Sequence, residues 1–219
     1  MKQLKDYILK ENNFFKNLGI GYEVQIRKWC DEHNLNYYDI RFDEKNDRPV
    51  IHIKGKRNVY LYIKEDFVPD YIKFDNINGS FDISRSNVKT LKGWCPDVVK
   101  GNFKCEFCDI TSLDGCPQVN KTIDCSNCGD LLTLEGCPQV VENFFCGGCF
   151  SLKNLKGGPQ VVEQCFVCPH ETLESLEGAP KEVGGRFSMY ATKKRLTKWY
   201  YDDIEKVCNV KGGRKNIWV

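Results

Sequence analysis

The sequence predicts an α+β protein whose centre is a β-solenoid of about six rungs between residues 77 and 189. Two observations carry this prediction. Related phrases such as LDGCPQV and LEGCPQV recur, and they place a proline every 21 residues, at Pro96, Pro117, Pro138, Pro159 and Pro180. Apolar residues also recur in columns at fixed distances from these prolines. A constant period of this length indicates stacked structural repeats, because one such unit cannot bury its apolar face alone.

Two of the apolar columns predict one short strand in each coil. Residues two apart on a strand point to the same side, so two apolar columns at this spacing are both expected to face inward. The first column is Phe81, Phe103, Ile123, Phe144, Phe166 and Phe187, and the second is Ile83, Cys105, Cys125, Cys146, Cys168 and Met189. A third column, four residues before the first, reads Ile77, Val99, Val119, Val140, Val162 and Val183.

The strand and the turn after it read FxCxxCxIxxL over residues 103–113 and FxIxxSxVxxL over residues 81–91. This pattern resembles the LxLxxN/CxL signature of leucine-rich repeats. With the GxPxxV return segment, it is similar to the leucine-rich-repeat-like proteins of large tailed bacteriophages, and the resemblance covers roughly half of the chain. It implies a leucine-rich-repeat-like solenoid with a binding role, and it says little about the partner. The pattern is broken by one extra residue after Cys125 and after Cys146, and by Glu171 in the Asn/Cys position.

The flanks are expected to cover the ends of the solenoid, since an uncapped solenoid exposes its apolar interior. Residues 1–70 are predicted to form an N-terminal α+β block or cap, residues 71–190 the solenoid, and residues 191–219 a C-terminal capping helix with a basic tail. Helical periodicity covers residues 4–18 and 26–33, and strands are expected at residues 38–42, 49–53 and 59–63. Thr197 is expected to begin the capping helix, which would carry Ile204, Val207 and Cys208.

Thirteen cysteines, four of them opening CxxC pairs, raise the question of a structural zinc site. The repeat register favours a reduced cysteine ladder instead. Cys105, Cys125, Cys146 and Cys168 occupy the inward column that Ile83 and Met189 fill in the end coils. Cysteine is small and apolar enough for that role. The fourth pair is out of register, because it places Cys165 on an outward strand position, and a zinc-stabilised module stays open as an alternative.

Composition and motifs argue against several function classes. Thirty-two Lys and Arg against thirty Asp and Glu leave a net charge of +2, which does not favour a nucleic-acid partner. The chain shows neither a signal-like start nor a run of 18 apolar residues, so a cytoplasmic location is expected, in the host if a phage encodes it. The histidines, His33, His52 and His170, lack a recurring acidic or nucleophilic companion. We therefore assign no catalytic residue, cofactor or metal, and we do not expect an enzyme.

The outward strand positions of the later coils predict a binding surface. In leucine-rich solenoids the outward columns on the concave side form the recognition face. Here they present Phe145, Cys165, Val167 and Tyr190, with Lys104, Glu106 and Asp124 as a polar rim. An exposed apolar patch of this kind is typical of a binding site.

The surface pattern predicts a non-enzymatic protein-protein interaction module, and the resemblance to phage leucine-rich-repeat-like proteins implies a host protein as the partner, with defence or regulatory proteins as the expected class. Two alternatives remain besides the zinc module. The C-terminal segment could fold over the patch and bury it. A nucleic acid could instead bind the basic residues Lys193, Lys194 and Arg195 beside the aromatic residues of the C-terminus.

Overall fold

A computed structural model describes residues 21–44, 48–169, 172–190 and 201–218. Within these ranges the chain forms a β-solenoid with a small helix near each end, as the repeat pattern predicts. The N-terminal helix expected over residues 4–18, the start of the capping helix at Thr197, and the basic residues 193–195 lie outside the described residues.

The described N-terminal residues, 21–44 and 48–53, form one helix and one hairpin. Helix α1 spans Tyr22–Glu32 and buries Ile26, Trp29 and Cys30, as the helical period predicts. Strands β1, Tyr38–Asp43, and β2, Arg48–Ile53, pair antiparallel. The hairpin joins the first coil through backbone hydrogen bonds, since the Ile51 N–H donates to the Lys73 carbonyl at 2.7 Å and the Asp75 N–H donates to the Ile51 carbonyl at 2.9 Å.

The main sheet contains eight strands, all parallel, one from each successive coil. Neighbouring phenylalanines of the first inward column lie opposite each other, so Phe81 pairs with Phe103 and Phe144 with Phe166. The strands are β3 Val59–Tyr60, β4 Phe81–Asp82, β5 Phe103–Lys104, β6 Thr122–Asp124, β8 Asn143–Phe145, β10 Phe166–Pro169, β12 Phe187–Tyr190 and β14 Ile217–Trp218.

A second parallel sheet is formed by the return segments, with strands β7 Val140–Val141, β9 Val161–Val162, β11 Glu182–Val183 and β13 Asn209–Val210. Here one prediction was wrong. Val140 was expected to face inward, but it is 51% exposed and Val141 is buried in its place. The buried valine of the return segment lies three positions after Pro138 but only two after Pro117, where it is Val119, so only two residues separate Val141 from Phe144.

The core is one continuous cluster from Ile26 to Ile217. Both predicted inward columns are buried, and the phenylalanines of the first column stack on one another through several coils. The Phe144 and Phe166 rings, for example, are 5.9 Å apart and 13° from parallel. Stacked aromatic rings add to the area that each one buries, so this column is expected to stabilise the solenoid strongly.

Both ends of the main sheet extend beyond the predicted rungs. The strand expected at residues 59–63 is limited to β3 and pairs with β4, so it belongs to the sheet of the solenoid. At the other end, helix α2, Tyr201–Val207, buries Ile204 but leaves Val207 42% exposed, contrary to the expected helix face. The chain then makes a further coil through β13, a 3₁₀ turn at Gly213–Asn216, and β14, where only a basic tail was expected.

Candidate functional site

The outer face of the main sheet carries one column of side chains that alternate with the buried phenylalanines. The column can be followed by its strand pairs, Tyr60 with Asp82, Lys104 with Asp124, Asp124 with Phe145, Phe145 with Val167, and Ser188 with Trp218. Because these residues are aligned in register, each lies next to its counterpart on the neighbouring coil. The column is charged in its N-terminal half and mainly apolar in its C-terminal half.

The apolar half centres on Phe145, Val167 and Trp218, which we call the apolar patch. Phe145 and Val167 are neighbours and both are partly exposed. Trp218 is 57% exposed, and the Arg186 guanidinium lies 5.3 Å from the centre of its ring. Sequence reasoning missed Trp218, although the Ile217-Trp218 pair repeats the inward-outward order of Phe144-Phe145.

Two other predicted site residues lie beside the patch. Cys165 precedes β10 and is partly exposed, and its backbone N–H donates to Asn143 Oδ1 at 3.2 Å. Tyr190 ends β12 opposite Pro169, so its backbone is in the predicted position, and its side chain lies outside the described part of the structure.

The predicted polar rim also lies on this face. Lys104 Nζ is 3.7 Å from Glu106 Oε1, and Asp124 follows Lys104 on the next coil. Partial burial, reinforced by the negative charge of Asp124, raises the pKa of Glu106 above its usual value. The rim therefore holds two carboxylates near one ammonium group, and the sheet face becomes apolar one coil further on.

The cysteines of the turn column donate hydrogen bonds to the backbone of the preceding coil. Cys108 Sγ lies 3.2 Å from the Ile83 carbonyl oxygen, and Cys128 Sγ lies 3.0 Å from that of Cys105. Cys149 Sγ similarly lies 3.2 Å from the Cys125 carbonyl oxygen. Each thiol therefore joins adjacent coils. In the next coil the turn column has Glu171 in the sequence instead of cysteine. There the neighbouring Thr172 Oγ1 donates to the Cys149 carbonyl oxygen at 3.5 Å.

All thirteen cysteines are free thiols, and twelve are buried; Cys165 alone is partly exposed. Burial raises the pKa of Cys108 to about 12 and that of Cys95 well above its usual range. The ionised form needed for metal binding or nucleophilic attack is therefore disfavoured at these positions. Within the described ranges, no group of three or more His, Cys, Asp or Glu side chains is placed to hold a metal ion.

The basic C-terminus is partly neutralised by acidic neighbours. Arg214 contacts Asp202 and lies 3.1 Å from Glu205, and these contacts raise the pKa of its guanidinium. The positive charge of Arg214 is therefore balanced by carboxylates of the last coil.

The two described histidines have structural contacts. His52 Nδ1 lies 2.7 Å from Asp75 Oδ2, and His33 stacks on Trp29 with ring centres 4.1 Å apart. His52 is therefore partly buried and paired. His170 lies outside the described ranges.

Over the residues that the structure describes, none of the helices is long and apolar enough to cross a membrane. Comparison of the chain with protein-family models, with curated proteins and with solved structures finds no match. The fold and the arrangement of its side chains are therefore the basis for any functional conclusion.

Proposed function

We propose that this protein is a non-enzymatic binding protein that holds a protein partner on the outer face of its main sheet, with the apolar patch at the centre of the interface. The observation that carries the proposal is the alignment of Phe145 with Val167 on adjacent coils, continued towards Trp218 at the end of the same face. Large apolar side chains aligned on an exposed face are typical of interaction sites.

The chemistry of the patch suits a protein surface. Tryptophan and arginine are enriched among the residues that dominate binding energy, and Trp218 and Arg186 stack on each other here. The charged rim of Lys104, Glu106 and Asp124 supplies groups that select the partner's orientation. The partner would accordingly present an apolar centre surrounded by polar groups.

The identity of the partner follows only from the resemblance to phage leucine-rich-repeat-like proteins. On that basis we propose a host protein, of a defence or regulatory class, encountered in the host cytoplasm.

The test compares two double variants. In F145D/V167D two charges enter the apolar patch, and in L132D/F150D two charges enter exposed apolar positions away from the sheet, where Leu132 is 60% and Phe150 is 49% exposed. Tagged proteins capture partners from host lysate, and the captured protein is identified, purified and titrated against each variant. We expect F145D/V167D to weaken binding by at least tenfold and L132D/F150D to leave it unchanged.

Equal binding by a folded F145D/V167D variant would overturn the proposed interface. Sedimentation of the purified protein provides a second readout, since a second copy could occupy the same patch. If the wild type is a dimer that F145D/V167D converts to a monomer, the face joins two copies of this chain, and the proposal of a host partner fails.

A further inference from the structure

A polar groove of about 490 Å³ lies on the turns that precede β3 to β6, whereas the apolar patch begins on the next strand of the sheet, β8. Its floor includes Gly79 and Gly101. A Cβ atom on Gly79 would lie 2.0 Å from the Arg57 carbonyl oxygen, and one on Gly101 would lie 2.5 Å from Ser80 Oγ. The coils therefore meet backbone to backbone at this point, and the absence of two side chains opens the groove.

The groove is positively charged. Lys56, Lys100 and Lys121 line it, and within the described ranges the lining includes no carboxylate. None of these three lysines is in an ion pair with another described residue. Lysines elsewhere on the solenoid differ, since Lys92 and Lys156 each pair with an acid on the next coil, at 3.0 Å in both cases. The net charge of the chain, only +2, does not reveal this local concentration of positive charge.

The polar groups on the floor favour an anion. Asn58 Oδ1 already accepts the Ser80 N–H at 2.9 Å, and Ser80 Oγ accepts the Asn102 N–H at 3.1 Å. One amide N–H of Asn58 donates to the Tyr60 hydroxyl, so the donors that remain at Asn58 and Ser80 include the second amide N–H and the hydroxyl O–H. Donors beside three ammonium groups suit negatively charged oxygen atoms.

The spacing of the lysines favours a linear ligand. Lys100 lies two coils after Lys56, and Lys121 lies three coils after it. Neighbouring parallel strands are about 4.8 Å apart, so the row of lysines extends over roughly 14 Å. One phosphate group cannot bridge that distance, whereas a chain of regularly spaced phosphates can follow it.

Two exposed aromatic rings lie beside residues 56–58, of which Lys56 and Asn58 line the groove. Tyr60 is 67% exposed, and its hydroxyl oxygen lies 3.3 Å from Asn58 Nδ2. Tyr37 is 62% exposed, and the Arg57 guanidinium covers one side of its ring at 4.0 Å. Aromatic and guanidinium planes next to a basic groove are the combination used to bind unpaired bases, because every base can stack on them.

We propose that this groove binds single-stranded nucleic acid, with Lys56, Lys100 and Lys121 contacting phosphates and Tyr60 stacking on a base. This activity is separate from the protein interface described above and uses different residues. Neither depends on the other.

Fluorescence anisotropy with labelled 12-nucleotide oligo(dT) and oligo(U) tests the proposal on the full chain. Three phosphate contacts to a single strand predict a slope of about −2 for log K against log salt concentration. K56Q/K100Q/K121Q should weaken binding at least tenfold and flatten this slope. K64Q/K211Q/K215Q removes the same charge at exposed positions, including two in the basic C-terminus, and should leave binding unchanged. The ratio of the wild-type affinities for oligo(dT) and oligo(U) shows whether the groove prefers DNA or RNA.

A second variant separates nucleic acid from other polyanions. Tyr60→Leu should weaken oligonucleotide binding about five- to tenfold, since stacking on one base is lost, and should leave binding of inorganic polyphosphate unchanged. The proposal is overturned if the oligonucleotides do not bind, if K64Q/K211Q/K215Q removes binding while K56Q/K100Q/K121Q does not, or if polyphosphate or oligoglutamate competes as well as the oligonucleotide at equal charge.

Discussion

Phe144 and Phe145 are adjacent in the chain and lie on opposite faces of β8, so their truncation gives a matched test of the fold. Phe144 is fully buried and stacks on Phe166. An aromatic side chain buries about 150–250 Å², and at about 25 cal/mol per Å² this gives an upper limit of roughly 4–6 kcal/mol. Measured Phe→Ala changes in protein cores cost about 3–5 kcal/mol, and we expect Phe144→Ala to fall in this range.

Phe145 should behave differently. It lies on the outer face and is partly exposed, so Phe145→Ala should change the free energy of unfolding by less than about 1 kcal/mol. Urea unfolding followed by circular dichroism measures both variants against the wild type. Phe144→Leu, which keeps most of the apolar volume, should lie between them at about 1–1.5 kcal/mol.

Equal destabilisation by Phe145→Ala and Phe144→Ala would refute this reasoning. It would mean that another segment covers the outer face, as one alternative from the sequence proposed for the C-terminal segment. The apolar patch would then be part of the core, and the proposed protein interface would lose its basis.

Two further predictions concern the coil contacts and the thiols. Gly79→Ala should destabilise the protein by about 1–3 kcal/mol, because its Cβ would meet the Arg57 carbonyl oxygen, whereas Gly129→Ala, which has open space around the new Cβ, should be close to neutral in the same urea experiment. The stability should also fall steeply above pH 9, as measured by urea unfolding between pH 8 and pH 10. Burial raises the pKa of Cys108 from 9.0 to about 12 in the folded state, so its stabilising effect is complete below pH 9 and is lost as the pH rises towards 12. Each such thiol costs about 1 kcal/mol between pH 9 and pH 10, and the slope approaches about 1.4 kcal/mol per pH unit above pH 10.

Matched variants check both expectations. Cys108→Ser keeps a donor for the Ile83 carbonyl oxygen but does not ionise, so the loss of stability between pH 9 and pH 10 should shrink by about 1 kcal/mol. A wild-type stability that stays constant from pH 8 to pH 10 would contradict the buried state of the thiols. A Gly79→Ala variant as stable as Gly129→Ala would show that the coils are not in backbone contact there.

The repeat pattern was sufficient to predict the solenoid, its inward columns and the face that carries the proposed interface. Regular stacking of 21-residue units makes the position of a side chain depend on its place in the repeat, so Phe144, Cys146 and Phe145 could be assigned from spacing alone. Register in the repeat also accounts for the CxxC spacing without requiring a metal. Cys105 and Cys108 follow two different repeat columns, each with its own contact to the backbone or the core.

The positions that broke the repeat were decided by tertiary contacts. Val141 replaced Val140 in the core because the stack keeps the inward column aligned and the return strand shifts by one residue to do so. Trp218 lies on the outer face of the sheet because Ile217 pairs with Phe187. The irregular turn that precedes this strand is not predicted by the 21-residue spacing of the repeats. The lysine groove likewise depends on coils that bring Lys56, Lys100 and Lys121 together from distant parts of the sequence. The residues that stack in the core could be identified from the sequence, because their 21-residue period is visible along the chain. The surface residues that become neighbours across coils were revealed only by the folded structure, because their contacts depend on how the coils pack.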